Sequence, residues 1–164
     1  GLLGVDVAKM EFPRGKTLEE YFRVMKRTFS EKEWLTIKSY GVNRERLAAF
    51  YRHWCLKESY LKAVGIGVTI NLQDVSFKIN TPVLKKEGIV DDTEVFFRGE
   101  KLKEWVFHEM LLDDEHCVAV AMNFQNEKMF FREIGFEEIV ENSVALLSPD
   151  DDYCAKFFQK CDKN

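Results

Sequence analysis

The spacing of apolar positions changes along the chain, and each change marks an element. Residues 2–7 form a short apolar run closed by an acidic side chain, which predicts a buried strand with Asp6 at its C-terminal end. Pro13 and Gly15 predict a loop over 10–16. Thr17 then stands as a helix cap, with Glu19 and Glu20 in the first turn, where the helix dipole favours negative charge. Leu18, Tyr21, Phe22, Met25 and Phe29 recur behind it at helical spacing. Ser30-Glu31-Lys32-Glu33 has capping-box spacing, so a second helix starts there, carries Trp34 and Ile37 inward and ends at Gly41. Asn43 is predicted to cap the longest helix, 44–64, which Gly65 closes.

Beyond Gly65 the period falls towards two. Residues 74–79 alternate as a half-buried strand does, and 93–98, 102–110 and 117–122 read as further strands with turns at 99–100 and 113–115. Short connections between successive strands predict an antiparallel meander. An edge strand over 129–134 and short helices over 137–147 and 150–160 follow. The fold class expected is α+β, a long helix packed on an antiparallel sheet.

Composition narrows the function classes. With 164 residues, 46 % hydrophobic and 32 % charged, the chain fits one globular domain of ordinary size. A net charge of −4 argues against a general nucleic-acid binder and leaves room for a local basic pocket. No apolar run approaches the ~20 residues of a membrane helix, and no signal peptide opens the chain, so no membrane partner is expected. Cys55, Cys117, Cys154 and Cys161 match no paired zinc spacing and read as reduced thiols of a cytosolic protein. The chain opens at Gly1 in a strand-like run without Met, as a piece of a longer or processed chain would.

The long helix carries the most informative chemistry. Its apolar stripe, Leu47, Phe50, Tyr51, Trp54 and Leu61, passes through Glu58, and a carboxylate on a buried stripe is costly unless satisfied. Lys62 lies within i,i+4 reach, so a plain helix salt bridge is one reading. The other is a carboxylate held at the rim of the core to bind a cation, with Lys57 and Lys62 as phosphate-binding charges and Asp6 as second carboxylate. Mg²⁺ sites commonly use one or two carboxylates plus phosphates and waters.

Gly4-Val5-Asp6, followed downstream by Trp54-Cys55-Leu56-Lys57-Glu58-Ser59-Tyr60-Leu61-Lys62, resembles the signature pair of the 4′-phosphopantetheinyl transferases. That signature is G-[VI]-D and then W-x-x-K-E-[AS]-[FY]-x-K. Residues 50–54 before the second motif and 63–67 after it are similar to eukaryotic members of the large (Sfp-type) class, and the likeness runs from Leu3 to about residue 121. The resemblance implies a transferase-like half-domain over 1–125 with a C-terminal extension, 126–164, packed on it. It implies Mg²⁺-dependent transfer of the phosphopantetheine arm of coenzyme A to a serine of an apo carrier-protein domain. Carriers of the fatty acid synthase and aminoadipate-semialdehyde dehydrogenase types are the expected partners. By the same resemblance Asp6 and Glu58 hold the metal, Glu58 is the general base, and Lys57 stabilises charge on the leaving phosphate. Asp6, Glu58, Ser59 and Lys62 contact coenzyme A.

The chain departs from the family pattern at two points. Many members carry a third metal-binding Glu two residues after the Asp, where Ala8 stands here. The large class has two similar halves with the site between them, and this chain resembles only the second, metal-bearing one. It is therefore expected to need a first half or a second copy of itself, and to show an uncovered apolar face where that partner docks. The competing expectations are a non-catalytic carrier-protein-binding module, a homodimeric single-half transferase, and, outside the family, a structural domain whose Glu58–Lys62 pair is a plain salt bridge.

Other candidates have plainer readings. His53, His108 and His116 have no metal spacing, and His53 is expected at the helix rim. Asp113-Asp114-Glu115-His116 reads as a solvated turn, Asp150-Asp151-Asp152 as a helix start, and Cys154 with Cys161 as one face of a helix.

Overall fold

The computed structural model describes residues 1–66, 70–124, 131–141, 143–144, 147–148 and 150–161, the last segment with side chains to residue 156. They belong to two compact units, Gly1–Lys128 and Met129–Asn164.

In the first unit, strand β1 (Leu3–Lys9) is followed by helices α1 (Leu18–Val24), α2 (Glu31–Ser39) and α3 (Asn43–Val64). Five strands follow: β2 (Val75–Lys78), β3 (Glu94–Phe97), β4 (Glu100–Lys101), β5 (Val106–Leu111) and β6 (His116–Met122). Thr17 and Ser30 each close a capping box with a Glu three residues on, and both helices start where those signals lie. Gly65 closes α3 in the left-handed conformation, φ 70°, and its N–H donates to the Leu61 carbonyl. The cap of α3 is Val42, without a side-chain bond, and Asn43 is already helical.

The strands do not form the single meander expected. They make two antiparallel three-stranded sheets, β1-β6-β5 and β2-β3-β4. β1 pairs with the last strand of the unit, Leu3 against Met122 and Lys9 against His116. Arg98 and Gly99 both take positive φ, 51° and 86°, so the β3–β4 hairpin turns on two residues as a type I′ loop does. The next strand starts at Val106 rather than 102, because Leu102–Trp105 turns on itself through a Trp105 N–H to Leu102 carbonyl bond.

α3 lies against the β1-β6-β5 sheet on one side and against α2 and β2 on others. Phe22, Phe29, Ile37, Leu47 and Phe50 form one apolar cluster around its first half; Leu56, Val75, Val95, Phe107 and Ala121 form another around its second. The approach of β1 to α3 depends on Gly4. A Cβ there would lie 2.1 Å from the Ser59 carbonyl oxygen and 2.4 Å from the Ala63 nitrogen, so only glycine lets the strand run this close.

In the second unit α4 (Phe136–Glu141) and α5 (Asp151–Cys161) are helical. Asp150 Oδ1 accepts the Tyr153 N–H at the start of α5. The edge strand expected over 129–134 is absent at 131–134, and its first two residues lie outside the described ones. α4 ends at Glu141, short of the predicted 147; residues 142, 145 and 146 and the Cys161 side chain lie outside the described ones. No helix among the described residues is long and apolar enough to cross a membrane.

Candidate functional site

Helix α3 is buried almost all round, because a sheet, a helix and a strand each cover part of it. Its open seam runs through Ala48, Tyr51, Trp54 and Glu58, half-buried, to Lys62, which is exposed. These positions recur at three and four residues and so share one face. Glu58 therefore lies on the open seam of the helix, not on a buried apolar stripe as the spacing alone suggested. Where packing encloses a helix on most sides, apolar periodicity no longer separates inside from outside.

Asp6 meets this seam from β1. Gly4, Asp6 and Ala8 alternate on the strand face turned towards α3, while Leu3, Val5, Val7 and Lys9 point away. The Lys62 ammonium stands 2.6 Å from Asp6 Oδ1 and 3.1 Å from the Val5 carbonyl oxygen. Partial burial, followed by the Asp6 charge, pushes the Glu58 carboxyl above its ordinary range, and Lys62 opposes that shift. The hydrogen bond to Asp6 is the main cause that raises the Lys62 ammonium. Asp6, Glu58 and Lys62 thus form one electrostatic cluster open to solvent, with two carboxylates and one cation.

Those groups suit a small hard cation. Both carboxylates supply oxygen donors, and the lysine ammonium already shows that the cleft between strand and helix draws positive charge. No group of three metal-binding side chains occurs among the described residues. A cation there would complete its shell with water or phosphate oxygens, as Mg²⁺ readily does. Ala8 is on the same strand face as Asp6 and is buried in the apolar cluster with Cys55 and Cys117, so it adds no ligand.

The structure separates Lys57 and Ser59 from this cluster. The Lys57 ammonium is enclosed, its side chain 2 % exposed and 3.0 Å from the fully buried carboxylate of Glu33. It donates to the Leu72 carbonyl at 2.9 Å and also to that of Val75. Glu33 in turn accepts the N–H groups of Ser30 and Phe77. In this structure the Lys57 ammonium faces inward, not the seam where a leaving phosphate was expected, and it ties α3 to α2 and β2. Ser59 is likewise buried; its Oγ donates to the Leu56 carbonyl, and its backbone carbonyl lies against Gly4. Its predicted contact with coenzyme A has no support in this geometry.

Glu33 is the residue that sequence reasoning understated. Its capping-box position was visible, whereas its partner Lys57 sits on another helix with no shared pattern. His53 is corrected too. It is buried, not at the rim; its Nδ1 donates to the Ala49 carbonyl at 2.7 Å, and its Nε2 has no partner among the described residues. Burial pulls its imidazole down to about 4. His116 pairs with Asp113 in the β5–β6 turn, as a solvated turn allows. Cys55, Cys117 and Cys154 are free thiols.

Residues 2–121 match the 4′-phosphopantetheinyl transferase superfamily. The chain is 36 % identical to the L-aminoadipate-semialdehyde dehydrogenase-phosphopantetheinyl transferase of Xenopus laevis, with 96 % of this chain and 56 % of that protein covered. It is 41 % identical to the Homo sapiens protein of the same name, over 73 % of this chain and 39 % of that protein. It therefore spans about half the length of these relatives or less. A more distant relative is the holo-[acyl-carrier-protein] synthase of Caldicellulosiruptor saccharolyticus, 24 % identical, with 73 % of this chain and 90 % of that protein covered. The matched residues contain both the strand that carries Asp6 and the helix that carries Glu58 and Lys62, and the chain belongs to the 4′-phosphopantetheinyl transferase superfamily.

Proposed function

We propose that this chain is the metal-bearing half of a 4′-phosphopantetheinyl transferase, which moves the phosphopantetheine arm of coenzyme A to a serine of an apo carrier-protein domain. The observation that carries the reading is the convergence of Asp6, Glu58 and Lys62 on one open seam. Carriers of the fatty acid synthase and aminoadipate-semialdehyde dehydrogenase types are the partners that fit it.

In this reading the serine hydroxyl attacks the phosphorus that bears the pantetheine arm. A serine O–P bond forms, the P–O bond to adenosine 3′,5′-bisphosphate breaks, and the leaving phosphate keeps that electron pair. Glu58, on the open seam beside Asp6, takes the serine proton as general base. Lys62, on a flexible stem at the surface, binds a phosphate of coenzyme A. Asp6 and Glu58 would hold Mg²⁺, whose chemistry there is to neutralise and polarise the phosphate oxygens. Lys57 supports the site from behind by fixing the helix that bears Glu58.

The other half of the site is expected from a partner. Leu3, Val5 and Val7 point away from α3 and expose 43–53 % of their surface, a row of apolar side chains on an edge strand. A first half docked on that row is the reading preferred here. A second copy of this chain is the alternative, favoured by the near-complete coverage of the short Caldicellulosiruptor relative. The test is transfer of label from coenzyme A to an apo carrier protein, with this chain alone and with a first half supplied in trans. Activity that appears only in the mixture supports the first-half reading. Activity of the chain alone as a dimer supports the second, and inactivity of both preparations contradicts the transferase reading.

A further inference from the structure

The cluster contains a cation of its own. The Lys62 ammonium is bound to Asp6 at 2.6 Å, and it reaches the Val5 carbonyl of the same strand at 3.1 Å. Asp6 is held rigidly: its backbone pairs with Ala119 in the sheet, and its side chain is only 13 % exposed. Glu58 is held in the middle of α3. Lys62 is the exposed member, its side chain 51 % exposed and joined to the helix by a four-carbon stem. A divalent cation shared by Asp6 and Glu58 would take the oxygen that Lys62 now holds, and the two positive charges would repel at that distance.

We propose that Lys62 is a tethered counter-ion that occupies the metal position of the resting site, and that a phosphorylated ligand admits the divalent cation by drawing the ammonium away from Asp6. The inference rests on the transferase reading and adds to it an order of events. Metal alone meets a site where lysine already offsets one of the two carboxylate charges. A pyrophosphate-bearing ligand alone must break the Asp6–Lys62 pair. Together each removes the other's obstacle, so the two bind with positive coupling beyond the direct bridge between phosphate and metal. The same lysine thus has two anionic partners, and exchange between them is the switch.

The test uses the full 164-residue chain and two probes: Mn²⁺ alone, followed by electron paramagnetic resonance, and coenzyme A in the presence of chelator, followed by calorimetry. Lys62→Met is expected to bind Mn²⁺ about fivefold or more tightly than the unaltered chain, and Lys62→Arg to resemble the unaltered chain. Asp6→Asn frees the ammonium, so it should strengthen metal-free coenzyme A binding more than Glu58→Gln, which removes the same charge without releasing the bond. Equal gains for Asp6→Asn and Glu58→Gln would assign the effect to bulk charge and overturn the inference. Equal Mn²⁺ affinity in Lys62→Met and the unaltered chain, with binding still lost in Asp6→Asn, would overturn it while leaving the metal-site reading intact. Mn²⁺ binding that ignores both Asp6→Asn and Glu58→Gln would overturn that reading, and the inference with it.

Discussion

Two lysine–carboxylate pairs hang from the same helix in opposite surroundings. Lys57 and Glu33 are enclosed, 2 % and 0 % exposed, with backbone groups completing their bonds. Lys62 and Asp6 lie at the surface, 51 % and 13 % exposed, with Glu58 beside them. In the buried pair burial raises Glu33 and lowers Lys57, so desolvation outweighs the attraction between them. Such a pair resists exchange, because either partner left alone is a bare charge in an apolar cluster. The open pair has water as an alternative partner and can trade its carboxylate for a phosphate. Neighbouring lysines of one motif thus stand in opposite environments, one enclosed and one open to solvent.

The largest expected effect breaks the buried pair. Glu33→Ala or Lys57→Ala should cost about 3–5 kcal/mol in urea unfolding, whereas the double variant Glu33→Leu/Lys57→Met should recover most of it. Additive losses in the double variant would show that the two charges do not depend on each other.

The buried region also sets an acid limit. His53 has its imidazole pulled down to about 4 in the fold, against 6.5 as its ordinary value. The unfolded chain therefore binds more protons between those values. Stability should fall as pH drops from about 6.5 to about 4, by up to roughly 3 kcal/mol, and stay level above that window on account of this group. His53→Leu should flatten the profile there, as read by urea midpoints across the pH series.

The smallest effect on stability belongs to the open pair. Lys62→Ala should shift the unfolding free energy by less than about 1 kcal/mol, since exposed ion pairs contribute little. The same substitution should weaken coenzyme A binding measured with Mg²⁺ present. A stability loss as large as that of Lys57→Ala would erase the contrast between the two sites.

Local signals made much of this architecture legible in sequence. Thr17, Ser30 and Gly65 mark helix ends through bonds made within a few residues, and the fold honours all three. The motif placed Asp6 and Lys62 in one site, and they meet at 2.6 Å. What stayed hidden depends on long-range packing. The β1–β6 pairing joins Leu3 to Met122, and nothing local encodes that register. The inward turn of Lys57 depends on Glu33 from another helix and on carbonyls of Leu72 and Val75. A rim position for His53 presumes a helix with one broad open side, and α3 has only a narrow one.

The central claim is that the open cluster carries the chemistry and the buried pair carries the helix. Its most direct test is single-turnover transfer from labelled coenzyme A to an apo carrier protein by this chain with a first half supplied, comparing Glu58→Gln with Glu33→Leu/Lys57→Met. The account predicts a loss of about a hundredfold or more for Glu58→Gln, the scale of a removed general base, and a rate within a few-fold of the unaltered chain for the double variant. Full transfer by Glu58→Gln, or loss of transfer in a folded Glu33→Leu/Lys57→Met variant, would contradict it.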